Sequence, residues 1–279
     1  MLSIKEQLVV LYVTIADFFD KHPKMQNWRE SNNRRPNFTD AEVLTLAMMQ
    51  SYFRTPTLKR TFELVLANDR RAFPRCCSYK QWIARLNQLS RQIGAMIRKV
   101  AEEHAEGWQF YLLDSEPIPV CHPVRNGRAL LLRDEGAYFG KTKKGWFFGF
   151  KLHIIVTANG LMINAIFTPG NFDDRDAAAA LIETVAEGSV CLGDRGYNRV
   201  ELQEELFCED GVLLVTRLDV GQERQALLCS VRERVETVFS QLWQRFNTQV
   251  YSRSWLGLWN SLLLKMLDHS LCQVGIISA

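Results

Sequence analysis

The 279-residue sequence lacks several features that would place a protein in a class at once. Its seven cysteines form no CxxC pair, so neither a zinc site nor a disulfide framework is indicated, and free thiols in a reducing compartment are the simplest interpretation. The most apolar stretch, 256–279, is interrupted by Lys265, Asp268 and His269, which favours an amphipathic helix over a membrane span. The first residues lack the pattern of a signal peptide. We therefore expect a cytoplasmic protein that does not enter membranes.

Internal repeats and low-complexity linkers are also missing, and the remaining composition is that of an ordinary globular protein. Hydrophobic residues make up 47% and charged residues 23% of the chain, which suffices for one large domain or a moderate domain beside a smaller one. The net charge of +3 is unevenly distributed. Residues 1–104 carry 17 basic and 10 acidic side chains, which suggests a polyanionic partner, whereas the remainder is net acidic and suits a carboxylate metal site.

Residues 1–105 have the apolar spacing of helices. Hydrophobic side chains recur three and four positions apart, as in Leu8, Leu11 and Ile15, and prolines fall between the periodic stretches. Thr39, followed three positions later by Glu42, is typical of a helix start. The pattern predicts a small all-α domain of four or five short helices.

From residue 106 the pattern changes to short apolar runs typical of strands, at 108–114, 146–157, 161–168, 189–192 and 212–216. Asn159-Gly160 between the second and third runs predicts a β-hairpin. Helices are predicted at 175–187, 198–208, 221–246 and 255–273. The order predicts an α/β fold over residues 106–279, with a mixed sheet flanked by helices and C-terminal helices at its end.

Three acidic residues stand out by their positions. Asp114 and Asp194 each follow an apolar strand, and a desolvated carboxylate there needs a cation or a partner. Glu236 lies one position from Val235 on the apolar stripe of a long helix, so it flanks the buried face and could lean toward the aspartates. Each has an ordinary alternative: a strand-end aspartate often caps a turn, and a helical glutamate between arginines is usually a solvated ion-pair partner.

The chain resembles bacterial insertion-sequence transposases through an ordered set of short motifs. They are Asp114-Ser-Glu-Pro, Lys151-Leu-His153, Thr168-Pro-Gly-Asn-Phe-Asp-Asp174, Gly193-Asp-Arg-Gly-Tyr197 and Arg232-x-x-x-Glu236-x-x-Phe-Ser-Gln-Leu242. The set covers about residues 108–275 and is most similar to the insertion sequence 982 family. The first two acids lie 80 positions apart and the last two 42.

This resemblance implies a ribonuclease H-like fold with Asp114, Asp194 and Glu236 as a catalytic and metal-binding triad. Such a triad would hold two Mg²⁺ ions, for which Mn²⁺ would substitute, and would cleave and join DNA strands by in-line phosphoryl transfer. Double-stranded DNA, as element ends and as target, would be the partner, bound by a homodimer or a higher assembly at the nucleoid. Related sequences often have His-Asp where this chain has Asp173-Asp174. Helix capping and first-turn charge are the favoured interpretation for Asp173, Asp174 and Asp176.

Basic residues supply candidate DNA contacts. Lys151 and His153 alternate along one strand and so face the same side, where Lys151 could hold a phosphate; a buried, hydrogen-bonded His153 is favoured over a ligand. In many such enzymes a basic residue stands seven positions after the glutamate; this chain has Trp243 there, so Arg245 or Arg253 could take that contact. Solvated loops or surface ion pairs remain open as alternatives. The other candidates are Lys141, Lys143, Lys144, Arg195, Arg232 and, in the helical domain, Arg34, Arg35, Arg70 and Arg71.

The leading hypothesis is a transposase that cuts and joins the ends of its own element. A ribonuclease H-like nuclease without strand transfer is the nearest alternative, and a catalytically inactive derivative that only binds DNA is the other. The basic helical segment favours the transposase because end recognition needs a dedicated domain. The presence of all three acids argues against an inactive derivative.

Overall fold

The computed structural model describes residues 2–26, 36–105, 107, 109–143, 145–216, 222–244 and 252–277, without the side chains of Arg195 and of residues 222–232. These residues contain nine α-helices: α1 Ile4–Lys21, α2 Asp40–Phe53, α3 Leu58–Asp69, α4 Tyr79–Leu86, α5 Ser90–His104, α6 Asp174–Ile182, α7 Val200–Glu209, α8 Gln222–Gln244 and α9 Trp255–Gln273. They also contain six strands: β1 Phe110–Pro119, β2 Tyr138–Thr142, β3 Gly145–Thr157, β4 Met162–Pro169, β5 Val190–Gly193 and β6 Leu213–Thr216. No helix of this described part is long and apolar enough to cross a bilayer.

The chain forms two compact units. The first comprises Met1–Val100, Leu242–Thr248 and Leu256–Ala279, and the second Ala101–Gln241 and Gln249–Trp255. Most of α9 therefore belongs with the N-terminal helices, whereas the sequence analysis places the C-terminal helices after the catalytic domain. A hydrogen bond between distant parts of the sequence supports the grouping of α9 with the N-terminal helices. The Ser51 hydroxyl on α2 donates to the Asp268 carboxylate on α9 at 2.5 Å.

Local capping sets the helix starts of the first unit. Thr39 caps α2 as predicted: its hydroxyl accepts from the Glu42 N–H at 3.2 Å, while the Glu42 carboxylate accepts from the Thr39 N–H. This reciprocal pair satisfies two backbone donors that the first helical turn would otherwise leave open. Trp82 anchors α4 to α2, because it is fully buried and its indole N–H donates to the Val43 carbonyl at 3.0 Å.

The second unit is built on a mixed sheet with the strand order β2-β3-β1-β5-β6, and β4 also pairs with β3. Strands β1, β5 and β6 are parallel, whereas β3 is antiparallel to β1, β2 and β4. The predicted β3–β4 hairpin is confirmed, and its turn places Gly160 at a φ of +89°, which glycine adopts without strain. Helices α6 and α7 cover the sheet through a buried cluster that includes Leu113, Leu181 and Leu206.

Strand β1 is longer than its predicted end at Asp114, since it continues to Pro119. Beyond Leu112 the strand has lost β5 as a neighbour, while β3 still pairs with it up to Pro119. Prolines are tolerated on a strand with one open side, because no ladder hydrogen bond is then required there. Asp114 is therefore a mid-strand residue at the point where β1 becomes an edge.

Candidate active site

Asp114 and Asp194 stand at the same level of two neighbouring parallel strands. The last paired residues of β1 and β5 are Leu112 and Leu192, and each aspartate follows two residues later. Both side chains are half-buried. The pairing of β1 with β5 stops just before the two aspartates, so both stand where the two strands part, a position typical of ligand sites in α/β sheets.

Backbone N–H groups fix both carboxylates. The Ser115 N–H donates to Oδ1 of Asp114 at 2.8 Å, and the Gly196 N–H donates to Oδ1 of Asp194 at 2.7 Å. A Cβ on Gly196 would lie 2.8 Å from Oδ1 of Asp194 and 3.5 Å from Oδ2 of Asp174. Glycine is thus required for space, and the carboxylates of Asp194 and Asp174 border the same small volume.

Asp174 is a member of this cluster that the sequence analysis assigned to helix capping. Its neighbours fit that assignment, because Asp173 is the N-cap of α6 and accepts from the Arg175 N–H at 2.9 Å, and Asp176 forms an exposed ion pair with Arg199. Asp174 instead points to the sheet. Its carboxylate accepts from the Ser115 hydroxyl at 3.1 Å and from Lys151 Nζ at 2.9 Å.

The Arg175 guanidinium has a separate partner in Asp173. Its hydrogen bonds hold the pKa of Asp173 at about 2, so this carboxylate stays ionised in its capping position. The capping interpretation is therefore confirmed for Asp173 and does not account for Asp174.

Lys151 and His153 face the same side of β3, as their alternation predicts. Lys151 Nζ bridges Asp174 and the Phe172 carbonyl, the latter at 2.7 Å. His153 is fully buried, and its Nε2 lies 2.8 Å from the Thr168 hydroxyl. Burial lowers the pKa of His153 to about 4, so the ring is neutral at physiological pH. Its Nδ1 lies 3.9 Å from Oδ1 of Asp174.

Tyr197 lies near the aspartates of the cluster. The sequence analysis did not name it as a site residue, although it ends the motif Gly193-Asp-Arg-Gly-Tyr197. The side chain is fully buried. Burial first, and then the negative charges of Asp174, Asp114 and Asp194, raise the pKa of Tyr197 well above its ordinary value. The phenol of Tyr197 therefore lies within electrostatic range of all three carboxylates.

The structure does not place Glu236 in a metal-holding group with the aspartates. It lies on α8 with an exposed side chain, next to the buried Val235, so it flanks the apolar stripe as predicted. Two residues later, Val238 lies against the hairpin turn, since a Cβ on Gly160 would be 3.2 Å from it. Among the His, Cys, Asp and Glu side chains that the structure describes, no group of three or more is close enough as placed to hold a metal ion.

A comparison with known protein families decides the class of protein. Residues 104–250, a little more than half of the chain, match the family described as "Transposase DDE domain". The chain belongs to this transposase DDE domain family. The matched range contains Asp114, Asp194 and Glu236 and the whole sheet of the second unit. No curated protein and no solved structure matches the chain.

The transposase DDE domain family implies DNA as a partner, and several basic side chains are exposed to contact it. Lys141 and Lys143 are exposed on the β2–β3 hairpin, which the sequence analysis had not predicted, and Lys141 Nζ lies 5.6 Å from the centre of the Trp146 ring. Arg253 is exposed beside a groove of the second unit, and Arg70 and Arg71 are exposed in a 3₁₀ turn. Lys144, Arg34, Arg35 and Arg245, and the side chains of Arg195 and Arg232, lie outside the described residues.

Proposed function

We propose that this chain is a DNA transposase of the insertion sequence 982 type, which cleaves and joins DNA strands with divalent metal ions held by Asp114, Asp194 and Glu236 on a ribonuclease H-like sheet. The observation that carries the proposal is the register of β1 and β5, which sets Asp114 and Asp194 side by side inside the matched domain. The mixed sheet with its long central hairpin supports the fold assignment.

The residues at the cluster fit a divalent cation. The half-buried carboxylates of Asp174 and Asp194 border one small volume, and Asp114 stands level with Asp194 on the neighbouring strand. Lys151 contacts this cluster through its 2.9 Å ion pair with Asp174. Such a charge excess is relieved most readily by a bound cation. Carboxylate oxygens without sulfur or imidazole donors suit Mg²⁺ and Mn²⁺. Asp114 and Asp194 would be the ligands, with Glu236 as the third through the family resemblance.

When bound, two such ions would supply Lewis-acid activation of a water or a DNA 3′-OH and stabilisation of the leaving oxygen. The chain's own residues prepare the site for that chemistry. Ser115 and Gly196 hold the two aspartates through their N–H groups, which keeps the carboxylates from rotating away. Lys151 binds Asp174 and so fixes a third negative charge beside them. The neutral His153 adds no positive charge that would repel a cation.

End recognition is proposed for the helical residues 1–105, which carry the basic excess of the chain. Exposed arginines such as Arg70 and Arg71 would contact the phosphates of the element ends, and a homodimer or larger assembly would bring two ends together. Removing residues 1–104 tests this part, with specific end binding as the readout. Unchanged affinity for the ends would contradict it.

The deciding experiment combines DNA carrying the native flanking ends with purified protein in Mg²⁺ or in EDTA. Wild type is compared with Asp194→Asn and Glu236→Gln, and Asp176→Asn serves as the matched control because this exposed aspartate pairs only with Arg199 among the described side chains. We expect Mg²⁺-dependent cleavage and joining in wild type and the control, and loss of at least about 100-fold in the two variants.

The products separate the alternatives. Cleavage without joined products would indicate a ribonuclease H-like nuclease. Specific end binding without any reaction in wild type would indicate a DNA-binding derivative. Retained cleavage in Asp194→Asn would show that the site is assigned to the wrong residues.

A further inference from the structure

A groove lies on the second unit, away from the strand ends that carry the aspartates. It has a volume of about 970 Å³ and runs between the 3₁₀ segment Pro123–Arg128 and the pair Ser252–Arg253. Its floor is apolar, formed by side chains such as Val120, Ala129 and Leu131. An open groove with an apolar floor accommodates a flat, partly apolar group.

Three arginines surround this groove. Arg125, Arg128 and Arg253 are all exposed, and no acidic residue lines the groove with them. Within the described part of the chain, none of the three forms an ion pair. Guanidinium groups that converge on one concavity without carboxylate partners match the geometry and charge of phosphate oxygens.

An exposed aromatic ring stands next to the groove. Trp146, at the tip of the β2–β3 hairpin, is 61% exposed, which is unusual for a large aromatic side chain, and Lys141 approaches its ring. The Asn126 side-chain amide donates to the Trp146 carbonyl at 3.0 Å. This hydrogen bond ties the hairpin tip to the same 3₁₀ segment that carries Arg125 and Arg128.

We propose that the arginine groove and Trp146 together bind an unpaired DNA strand, with backbone phosphates on Arg125, Arg128 and Arg253 and a base stacked on the Trp146 ring. Charge alone would suit duplex DNA equally well. The apolar floor and the exposed ring require base faces, which only an unpaired strand presents. The inference rests on the proposed function in one respect: a strand-cleaving enzyme generates unpaired ends that have to be held.

The test measures binding by the full chain in EDTA, where no cleavage takes place. Fluorescence anisotropy of labelled oligothymidylate is followed over a series of salt concentrations. The variants are the triple substitution Arg125→Gln/Arg128→Gln/Arg253→Gln, the single substitutions Trp146→Ala and Trp146→Phe, and Arg199→Gln. The last is the matched control, because Arg199 belongs to the second unit, does not line the groove and pairs with Asp176.

Each substitution has its own signature. Single-strand binding loses about 0.7 in the slope of log affinity against log salt for each phosphate contact, so the triple variant should lose about 2. Trp146→Ala should weaken binding about 5- to 150-fold with an unchanged slope, and Trp146→Phe should restore most of that loss. Arg199→Gln should behave as wild type. Thermal melts of all variants verify that the fold is retained.

An unchanged salt slope in the triple variant would overturn the proposal, as would a loss on a duplex of the same length that equals or exceeds the loss on the single strand. The outcome is separable from the transposase proposal, because strand cleavage is assayed independently in Mg²⁺. Wild type that binds oligothymidylate with these signatures and fails to cleave would support the groove and contradict the transposase. Cleavage in Mg²⁺ without these binding signatures would support the transposase proposal and contradict the groove proposal.

Discussion

The substitution Gly196→Ala tests the aspartate cluster most directly. Its Cβ would lie 2.8 Å from Oδ1 of Asp194, which is closer than real Cβ contacts come. The obstructing atom is the end of a side chain, so the Asp194 carboxylate can move by a few tenths of an ångström, at the expense of the hydrogen bond from the residue 196 N–H. The backbone can stay where it is.

The expected effects on stability and on activity therefore differ in size. An adjusted side-chain rotamer costs about 0.5–1.5 kcal/mol. For a domain of this size that lowers the Tm by about 1–6 °C. A displaced metal ligand lowers the rate of the chemical step, and a displacement of about 1 Å can lower that rate about 100-fold. We expect a loss of cleavage of about 10- to 100-fold in a protein that is still folded.

The assay is Mg²⁺-dependent cleavage of DNA carrying the native ends, together with thermal melts. Gly127→Ala is the matched control, because a Cβ on Gly127 would meet no atom within 4 Å. Cleavage by Gly196→Ala at the wild-type rate would refute the claim that the position of the Asp194 carboxylate matters. A fall in Tm much larger than that given above would refute the claim that only the side chain moves.

Three further predictions concern single side chains. Thr39→Ala removes the cap of α2 and should lower the free energy of unfolding by about 1 kcal/mol, measured by urea denaturation. Lys151→Met leaves Asp174 without its cation, so the Tm should fall in EDTA, and Mg²⁺ should raise it more in the variant than in wild type. His153 has a pKa of about 4 in the folded protein, below its value in the unfolded chain. The unfolding free energy of wild type should therefore fall by up to about 3 kcal/mol as the pH is lowered from about 6.5 to about 4. His153→Gln should remove this pH dependence.

Each of these predictions has a contrary result. Equal stability of Thr39→Ala and wild type would mean that the capping pair contributes nothing net. An equal Mg²⁺ effect on the Tm of Lys151→Met and wild type would mean that Lys151 and the cation do not act on the same charges. An unchanged pH slope in His153→Gln would mean that another group titrates in this range.

Strong local patterns predicted most of the elements. Helix α9 has the predicted bounds Trp255–Gln273, and β3 differs from its prediction by one residue, because long apolar periodicity leaves few alternatives. Strand β2 was missed since its five residues include Gly140 and form a strand only by pairing with β3. The extension of β1 was missed for a related reason: two prolines argue against a strand unless its open side is known.

The site residues, too, could be predicted only where local sequence patterns determine their positions. The position of Asp114 beside Asp194 could be anticipated, because both follow apolar strands. The role of Asp174 could not, since three aspartates within four positions at a helix start look alike in sequence. The direction of the Asp174 side chain is set by Ser115 and Lys151, which lie on strands far away in the chain. Tyr197 was missed for a similar reason, because a buried tyrosine can be recognised as part of a site only once its neighbours in the fold are known.

The charges of the cluster favour a bound cation. Asp174 and Asp194 border the same small volume, and Asp114 stands level with Asp194 on the neighbouring strand. Lys151 offsets one of these negative charges through its 2.9 Å contact with Asp174. Backbone N–H groups hold the other two carboxylates in place, and closely spaced carboxylates held in this way are suited to a divalent cation. Glu236 would add a further negative charge, so its approach to the aspartates becomes favourable only after cations have bound.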